Sequence, residues 1–202
     1  MTTRLAAADL AERREVLPGR WLLAFHAPDV ANGARAGQFV HVRTEDDARL
    51  SRRRPYPLHS TDAATGVASI LVRDSGGATR PLLAARPGDP LDVLGPLGRP
   101  FEVDPRTQHL LLVSSGDGIA AIRLLADEAI RDGRQVTLLC GSSGSSEVYP
   151  SSLLPDEVEY LVATDDGSLG HHGAVTDLVG DYEAWADQAF ASGPPALLAA
   201  LA

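Results

Sequence analysis

The sequence of 202 residues contains one cysteine, and its eighteen basic residues are all arginine, so lysine is absent. A single thiol cannot form an intramolecular disulfide, a four-cysteine zinc site or, by itself, an iron–sulfur cluster. The absence of lysine excludes a Walker-type phosphate loop and Schiff-base catalysis through a lysine side chain. We interpret Cys140, at the end of the apolar run Val136–Cys140, as a small buried residue.

Long apolar runs are also absent, and the first residues lack the apolar core of a signal peptide. We therefore expect a cytoplasmic, soluble protein without a membrane partner. The net charge of −9 argues against a nucleic-acid partner. Residues 1–103 hold fourteen arginines against twelve acids, whereas residues 104–202 hold four arginines against fifteen acids. This asymmetry indicates two units with different roles.

The first half of the chain shows short strand patterns separated by turns of glycine and proline. Strands are predicted at Trp21–His26, Gly37–Arg43, Val67–Arg73 and Leu91–Leu94. In the second of these, Phe39 and His41 share one face, while Val40 and Val42 share the other. This spacing predicts an antiparallel β-barrel or sandwich.

In the second half, strand and helix patterns alternate. Strands are predicted at His109–Val113, Gln135–Cys140, Glu159–Ala163 and Gln188–Ala191, and helices over Ile119–Arg131, from Ala174–Leu178 onward and over Pro195–Ala202. Alternation of this kind predicts βαβ units and a doubly wound, parallel α/β sheet. The boundary near Asp104 divides the chain into domains of residues 1–103 and 104–202.

Four loops of small or polar residues follow the predicted parallel strands. They are Ser114–Gly118, Gly141–Ser143, Thr164–Gly167 and Ser192–Pro194. Parallel sheets bind ligands beyond the carboxyl ends of their strands, so these loops together predict a ligand site. The first loop has the layout of a nucleotide-phosphate loop, with serines at two positions where glycine is expected and Asp117 where a phosphate would lie.

Two segments of the first half suit a nucleotide cofactor. Residues 52–60, RRRPYPLHS, place guanidinium donors for a pyrophosphate beside Tyr56, whose ring suits a flat ligand. Residues 72–83, VRDSGGATRPLL, continue a strand into a glycine-rich loop whose N–H groups suit phosphate. For the three arginines, a solvated basic edge is the alternative.

Six segments carry a family resemblance over nearly the whole chain: AGQFVHVR, RRPYPL, GGATRPLL, PGDPLDVLGPLGRPF, TDDGSLGHHGAVTDL and ASGP. In them the sequence resembles the ferredoxin–NADP reductase superfamily, and within it the electron-transfer subunits of dihydroorotate dehydrogenase. The resemblance implies an FAD-binding barrel over residues 1–103 and an NAD-binding-like α/β domain over residues 104–202. It also implies electron transfer between NAD(H) and a redox partner subunit, such as a dihydroorotate dehydrogenase-type catalytic chain, through FAD. A homodimer is left open.

The resemblance also implies roles for individual residues. Arg54 would contact the flavin phosphates, and Tyr56 would cover the isoalloxazine ring. The backbone of Leu71, Val72 and Arg73 would follow the ribityl chain, and Gly76, Gly77, Ala78 and Thr79 would hold the FAD pyrophosphate. NAD(H) would be bound by Gly116, Asp117, Gly118, Asp165 and Gly193. Tyr56 and Ser192 are the expected catalytic positions, with Ser192 beside the nicotinamide.

The sequence departs from the family at several points of the electron path. Pro57 replaces the serine that donates a hydrogen bond near the flavin, and His59 or Ser60 are the neighbours that could supply a donor instead. Asp117 adds negative charge to the NAD loop, and Ser192 replaces a cysteine. The sequence ends at Ala202 without the family's cysteine-rich segment, so we expect a shortened second domain and no iron–sulfur cluster within this chain.

These departures support an alternative function. The chain would then be a degenerate, non-catalytic relative with weak or no NAD binding, acting as an assembly or regulatory subunit.

Two other chemistries are poorly supported by the sequence. A nucleophile elbow at Ser115 fails because valine occupies the first glycine position of that motif. His171 and His172 are adjacent, so on an extended segment they point to opposite sides, and Asp165 and Asp166 lie at no recognised ligand spacing from them. We therefore predict no metal site.

Overall fold

The computed structural model describes residues 4–43, 53–77 and 79–202, with the side chains of residues 4–7 left out. The chain divides into two compact units, Met1–Phe101 and Glu102–Ala202. The division expected from the sequence, after residue 103, lies two residues further along. Arg52 and Ala78, both within the predicted cofactor segments, lie outside the described residues.

The first unit is a closed barrel whose strands run in the order β1-β2-β5-β4-β3-β6, with every neighbouring pair antiparallel. The strands are β1 (Arg4–Leu17), β2 (Arg20–His26), β3 (Phe39–Arg43), β4 (Arg53–Asp62), β5 (Val67–Arg73) and β6 (Pro90–Leu97). Two short helices, α1 (Pro28–Gly33) and α2 (Arg80–Ala84), complete the unit. The predicted barrel is confirmed.

Alternation of side chains along the strands builds the core of this barrel. Val40 and Val42 of β3 are fully buried, and so are Leu23 and Phe25 of β2 and Ile70 of β5. The rings of Phe39 and His41 lie together on the opposite face of β3, with centroids 5.4 Å apart. The alternation predicted for β3 is therefore confirmed.

The second unit is a parallel sheet in the order β10-β9-β8-β7-β11. The strands are β7 (His109–Ser115), β8 (Gln135–Ser142), β9 (Glu159–Thr164), β10 (His171–His172) and β11 (Gln188–Ser192), and the helices are α3 (Ile119–Arg131) and α4 (Pro195–Ala200). Successive strands extend from β7 in one direction, and β11 then pairs on its other side. The strand order therefore reverses between β7 and β11, where open α/β sheets bind ligands.

Apolar side chains cover both faces of this sheet. Helix α3 buries Ile122, Leu125 and Ala129, and contacts β7, β8 and β11. A separate cluster joins residues of β7, β8 and β9 to one residue of the segment Val175–Asp181 and one of α4. It consists of Leu111, Val113, Leu139, Ala163, Val175 and Leu197. Cys140 is 1% exposed, which confirms its expected burial.

A helical segment is present where a helix was predicted, from Ala174–Leu178 onward. Residues Val175–Asp181 form a 3-10 helix. The Asp177 carboxylate accepts the N–H of Ala174 at 3.1 Å and so closes the first turn. The segment is short and packs only Val175 deeply into the core, so it lacks the apolar stripe that sustains a longer α-helix.

No helix among the described residues combines the length and apolar character needed to cross a bilayer.

Asp187 stabilises the start of β7 by two hydrogen bonds. Its Oδ2 accepts the N–H groups of Gln108 and His109, each at 2.9 Å. These hydrogen bonds hold the pKa of the Asp187 carboxyl below its usual value. A carboxyl with a lowered pKa in the folded state contributes stability above its unfolded pKa of about 3.9, and this contribution is lost as the pH falls through the lower folded value.

We therefore expect Asp187→Asn to lower the urea midpoint at neutral pH, because asparagine forms weaker hydrogen bonds than a carboxylate. The difference from the wild type should shrink as the pH falls below the lowered pKa of Asp187, because the aspartate is then protonated. Urea unfolding at several pH values measures both effects, with the exposed Asp156→Asn as the control. A midpoint difference that persists unchanged at the lowest pH would contradict this account.

Candidate functional site

At the reversal point, the turn after β7 rests directly on the end of β11. Ser114 pairs with Ser192 in the parallel ladder, and the 3-10 turn Gly116–Gly118 follows. A Cβ at Gly118 would overlap the carbonyl oxygen of Ser192, and would lie 2.5 Å from the carbonyl carbon and 2.9 Å from the Cα of Gly193. Glycine at position 118 is thus required by contact between two backbone segments of the protein.

Gly116 differs from Gly118. Its φ is +55°, and a Cβ added there would meet nothing within 4 Å. The backbone conformation favours glycine, and the surface beside it is open. Asp117 is exposed at the centre of the turn. Ser114 is fully buried, and its Oγ has no hydrogen-bond partner among the described residues.

The register brings the other predicted loops to the same edge of the sheet. Ser114 lies beside Cys140 on β8, and Ser142 lies beside Thr164 on β9. The N–H of Asp165 donates to the carbonyl of Ser142 at 3.0 Å, which fixes the backbone and leaves the Asp165 side chain exposed. The residues predicted for NAD(H) in this unit therefore follow β7, β9 and β11 at the same edge of the sheet.

Acidic side chains characterise this edge. The loops that follow β7, β8 and β9 carry Asp117, Glu147, Asp165 and Asp166, and no arginine or histidine stands in residues 114–118, 141–151 or 165–170. The side-chain and backbone hydrogen bonds from Ser168 hold the pKa of Asp166 below its usual value. The edge is therefore negatively charged, which disfavours a ligand with an additional phosphate there.

The histidine pair lies at one side of the same sheet. His171 Nε2 is 3.3 Å from Asp177 Oδ2, and both histidines are exposed on β10. No group of three or more histidine, cysteine, aspartate or glutamate side chains within residues 4–43, 53–77 and 79–202 is arranged to hold a metal ion.

In the barrel, the structure distinguishes the arginines that the sequence pattern grouped together. Arg53 pairs with Asp92, with its Nη2 at 2.8 Å from Oδ2, and Arg43 lies 2.8 Å from the same oxygen. Arg54 has no carboxylate within ion-pair distance in the part of the chain that the structure describes. Within the described part of the chain, Arg54 is thus available for a ligand, whereas Arg53 is held by Asp92.

Tyr56 lies on β4 opposite Val40 and is 9% exposed. Its hydroxyl is buried and has no hydrogen-bond partner among the described residues. Burial raises the pKa of this phenol, and the nearby positive charge of Arg54 opposes the rise. A buried hydroxyl without a partner costs about 1–3 kcal/mol, and phenylalanine would pack without that cost.

The strand that follows offers an unpaired edge beside Tyr56. The described ladder between β4 and β5 ends at the pair Leu58 and Ile70, whereas β5 continues through Leu71, Val72 and Arg73 alongside β2. The backbone predicted to follow the ribityl chain therefore has no strand partner on its β4 side in this ladder.

The two donors considered as replacements at Pro57 are engaged elsewhere. His59 is 2% exposed, and its Nδ1 lies 3.2 Å from the Oγ of Ser69. The Oγ of Ser60 lies 2.5 Å from the same Ser69 oxygen. Ser69 thus joins both side chains into a polar cluster against β5.

The glycine-rich loop follows β5 and leads into α2. A Cβ at Gly76 or Gly77 would meet nothing within 4 Å, and Gly76 has a φ of +83°. Gly77 has an ordinary φ, so neither packing nor backbone conformation requires glycine there. Its N–H has no acceptor among the described residues. An open position of this kind suits the close approach of a ligand.

Asp74, which the sequence analysis did not single out, organises this loop. Its Oδ1 accepts the N–H of Gly76 at 2.9 Å and lies 3.3 Å from the hydroxyl of Thr79. The Thr79 oxygen in turn accepts the N–H of Ser75 at 3.1 Å. The sequence signal was an aspartate two residues before a glycine, a common turn pattern that carries no functional meaning by itself.

No protein-family model matches the sequence. Among curated proteins, the chain is 34% identical over 195 residues to the dihydroorotate dehydrogenase B (NAD(+)) electron transfer subunit of Geobacillus kaustophilus, covering 96% of this chain and 76% of that protein. It is also 34% identical over 171 residues to the subunit of the same name from Desulforamulus reducens, covering 84% of this chain and 65% of that protein. The chain thus spans about two thirds to three quarters of the length of these relatives.

Solved structures share the two-unit architecture. The NADH-dependent reduced ferredoxin–NADP oxidoreductase, described for flavin-based electron bifurcation, superimposes with a TM-score of 0.81 and 28% identity, covering 96% of this chain and 69% of that one. Phthalate dioxygenase reductase shares the fold, with a TM-score of 0.74 and 22% identity over 98% of this chain and 63% of that one. The barrel and the parallel sheet match the ferredoxin–NADP reductase-like fold, and the chain belongs to the family of dihydroorotate dehydrogenase B electron transfer subunits.

Proposed function

We propose that this chain is a flavoprotein electron-transfer subunit. It binds FAD at its barrel and passes reducing equivalents between NAD(H) and a redox partner subunit of the dihydroorotate dehydrogenase type. Family membership supports this function, because the curated relatives are named as electron transfer subunits of an NAD(+)-dependent dihydroorotate dehydrogenase. Bound FAD would supply the step from two-electron hydride chemistry to single-electron transfer.

The observation that carries the proposal is the buried hydroxyl of Tyr56, which has no hydrogen-bond partner among the described residues. A buried polar atom without a partner indicates an interaction that the protein alone does not provide. It lies within the electrostatic influence of Arg54, and beside a β5 edge that ends its ladder early. We propose that Arg54 binds the flavin phosphates, that Tyr56 orients the ring system, and that the backbone of Leu71, Val72 and Arg73 follows the ribityl chain.

The loop after β5 would hold the pyrophosphate. Gly77 offers an open surface and an N–H without an acceptor among the described residues. Gly76 and Thr79 supply two further donors once their hydrogen bonds to Asp74 are exchanged for phosphate. Ala78 is proposed in the same role from its place in the sequence.

We propose that NAD(H) binds at the reversal point between β7 and β11. Gly116, Asp117 and Gly118 would border its phosphates, Asp165 and Gly193 would border its ribose and amide groups, and Ser192 would lie beside the nicotinamide. The acidic edge favours NAD(H) over a cofactor with an extra 2′-phosphate. Ser192 and Tyr56 would then act by positioning rather than by proton transfer.

The 202 residues contain one cysteine, so they do not by themselves ligate an iron–sulfur cluster. We propose that electrons leave this chain for the acceptor of the partner subunit. The homodimer, the cytoplasmic location and the absence of nucleic-acid and membrane partners stay predictions from the sequence.

The visible spectrum of the purified protein tests the proposed function. Protein supplied with FAD should be yellow after removal of free flavin, and anaerobic NADH should bleach it. Trp185→Phe, which keeps an aromatic ring beside His109 and Tyr182 and outside the proposed sites, is the control. A chain that retains no FAD under any condition would overturn the proposal.

One observation favours the second candidate, a relative that binds NAD weakly or not at all. The loops at the edge proposed for NAD(H) are acidic and contain no cation, so nothing in them offsets the charge of a pyrophosphate. Calorimetry with NADH separates the two functions. Saturable binding at one site per chain supports electron transfer, whereas FAD binding without NADH binding supports the assembly or regulatory role.

A further inference from the structure

The Asp74 carboxylate occupies hydrogen-bond donors that the proposed pyrophosphate would need. Its Oδ1 accepts the Gly76 N–H at 2.9 Å and lies 3.3 Å from the Thr79 hydroxyl. The Thr79 hydroxyl has a second acceptor, the carbonyl of Gly76 at 3.1 Å. The Gly77 N–H has no acceptor among the described residues, and Gly77 is exposed to solvent. Of the donors in this loop, those of Gly76 and Thr79 are therefore bound to Asp74, whereas that of Gly77 is not.

A carboxylate and a phosphate oxygen are both anionic acceptors, and backbone N–H groups bind either of them. When a diphosphate approaches these donors, the carboxylate has to give up its hydrogen bonds or remain beside a second negative group. The first course costs the carboxylate its hydrogen bonds, and the second places two like charges at short range, where they repel. Both courses weaken binding. The exposed position of Asp74 lets the side chain turn away, so its presence weakens binding without preventing it.

We propose that Asp74 is an affinity-setting residue of the FAD site, a built-in anionic competitor that weakens binding of the diphosphate. This inference rests on the proposed function, since it assigns the diphosphate of FAD to the loop after β5. It goes beyond that function by predicting that the native side chain lowers affinity for the ligand. Replacing a residue that only shaped the loop would leave the affinity unchanged or weaken it.

The test is the affinity of Asp74→Asn for FAD, ADP and riboflavin. Asparagine keeps an oxygen that accepts the Gly76 N–H, so the loop is preserved while the charge is removed. FAD and ADP, which contain the diphosphate, should each bind at least about threefold more tightly than to the wild type. Riboflavin, which has no phosphate, should bind equally well to both proteins. Calorimetry or flavin fluorescence measures each dissociation constant.

Asp62→Asn is the matched control. Asp62 accepts the N–H of Ala64 at 2.9 Å and the hydroxyl of Thr65 at 2.7 Å in a similar turn, which joins β4 to β5. Its replacement should leave all three affinities unchanged. Asp74→Ala, which removes both the charge and the acceptor, separates the two roles further, and it too should bind ADP more tightly than the wild type.

The outcomes distinguish this inference from the proposed function. A wild type that binds FAD, together with an Asp74→Asn variant of equal or weaker affinity, overturns the inference and leaves the function standing. An equal gain for riboflavin also overturns it, because the charge would not be acting on phosphate. A wild type that binds neither FAD nor ADP overturns the proposed function itself.

Discussion

Gly118→Ala is expected to destabilise the second unit by about 3 kcal/mol or more. The added methyl group would overlap the carbonyl oxygen of Ser192 and crowd the Cα of Gly193. Both are backbone atoms of the segment that ends β11, so no side-chain rotation relieves the overlap. The two strand ends at the reversal point would have to separate, and the Ser114–Ser192 pair of the ladder would be strained with them.

Urea unfolding measures this effect, and the matched control is Gly180→Ala. Gly180 has no atom within 4 Å of an added Cβ and no positive φ, so its replacement should change the free energy of unfolding by less than about 0.5 kcal/mol. Equal stability of the two variants would show that the turn after β7 is free to move away from β11.

Gly77→Val is expected to weaken FAD binding strongly and to change the stability of the fold little, the opposite of Gly118→Ala. The protein places nothing within 4 Å of an added Cβ at Gly77, and the backbone there has an ordinary φ. If the FAD diphosphate lies against this position, the branched side chain occupies its place. FAD affinity should then fall at least about tenfold, a loss of about 1.4 kcal/mol.

Flavin fluorescence titration and thermal unfolding are compared on the same protein. Gly180→Val, a second open glycine in the other unit, serves as the control and should leave FAD affinity unchanged. FAD binding that survives Gly77→Val at full strength would place the diphosphate elsewhere on the barrel.

Periodicity predicted the regular elements where it was strong. Helix α3 begins and ends at the predicted residues, Ile119 and Arg131, because a continuous apolar stripe runs to a glycine. Strand β5 also has its predicted bounds, Val67 and Arg73. Strands β1 and β4 were missed for a local reason. Four of the eight apolar residues of β1 are alanine and β4 contains two prolines, and both are poor strand signals.

The sequence located the candidate site regions and left the roles within them undecided. Glycine spacing identified both loops, yet glycine has a different structural role in each. Gly118 is required by contact with another segment of the protein, whereas Gly77 faces open space. Three consecutive arginines gave no means of separating Arg53, which Asp92 holds, from Arg54.

The order of residues thus determined a barrel followed by a parallel sheet, the family, and the positions of the loops that would meet nucleotides. These depend on local periodicity and on short motifs, which are properties of neighbouring residues along the chain. Only the tertiary structure decided that β11 pairs beside β7. It also decided that the Tyr56 hydroxyl is buried, with no hydrogen-bond partner among the described residues, and that Asp74 accepts hydrogen bonds from its own loop. Such features depend on distances between atoms, many of them far apart in sequence, and those distances are set only when the strands pair and the core packs.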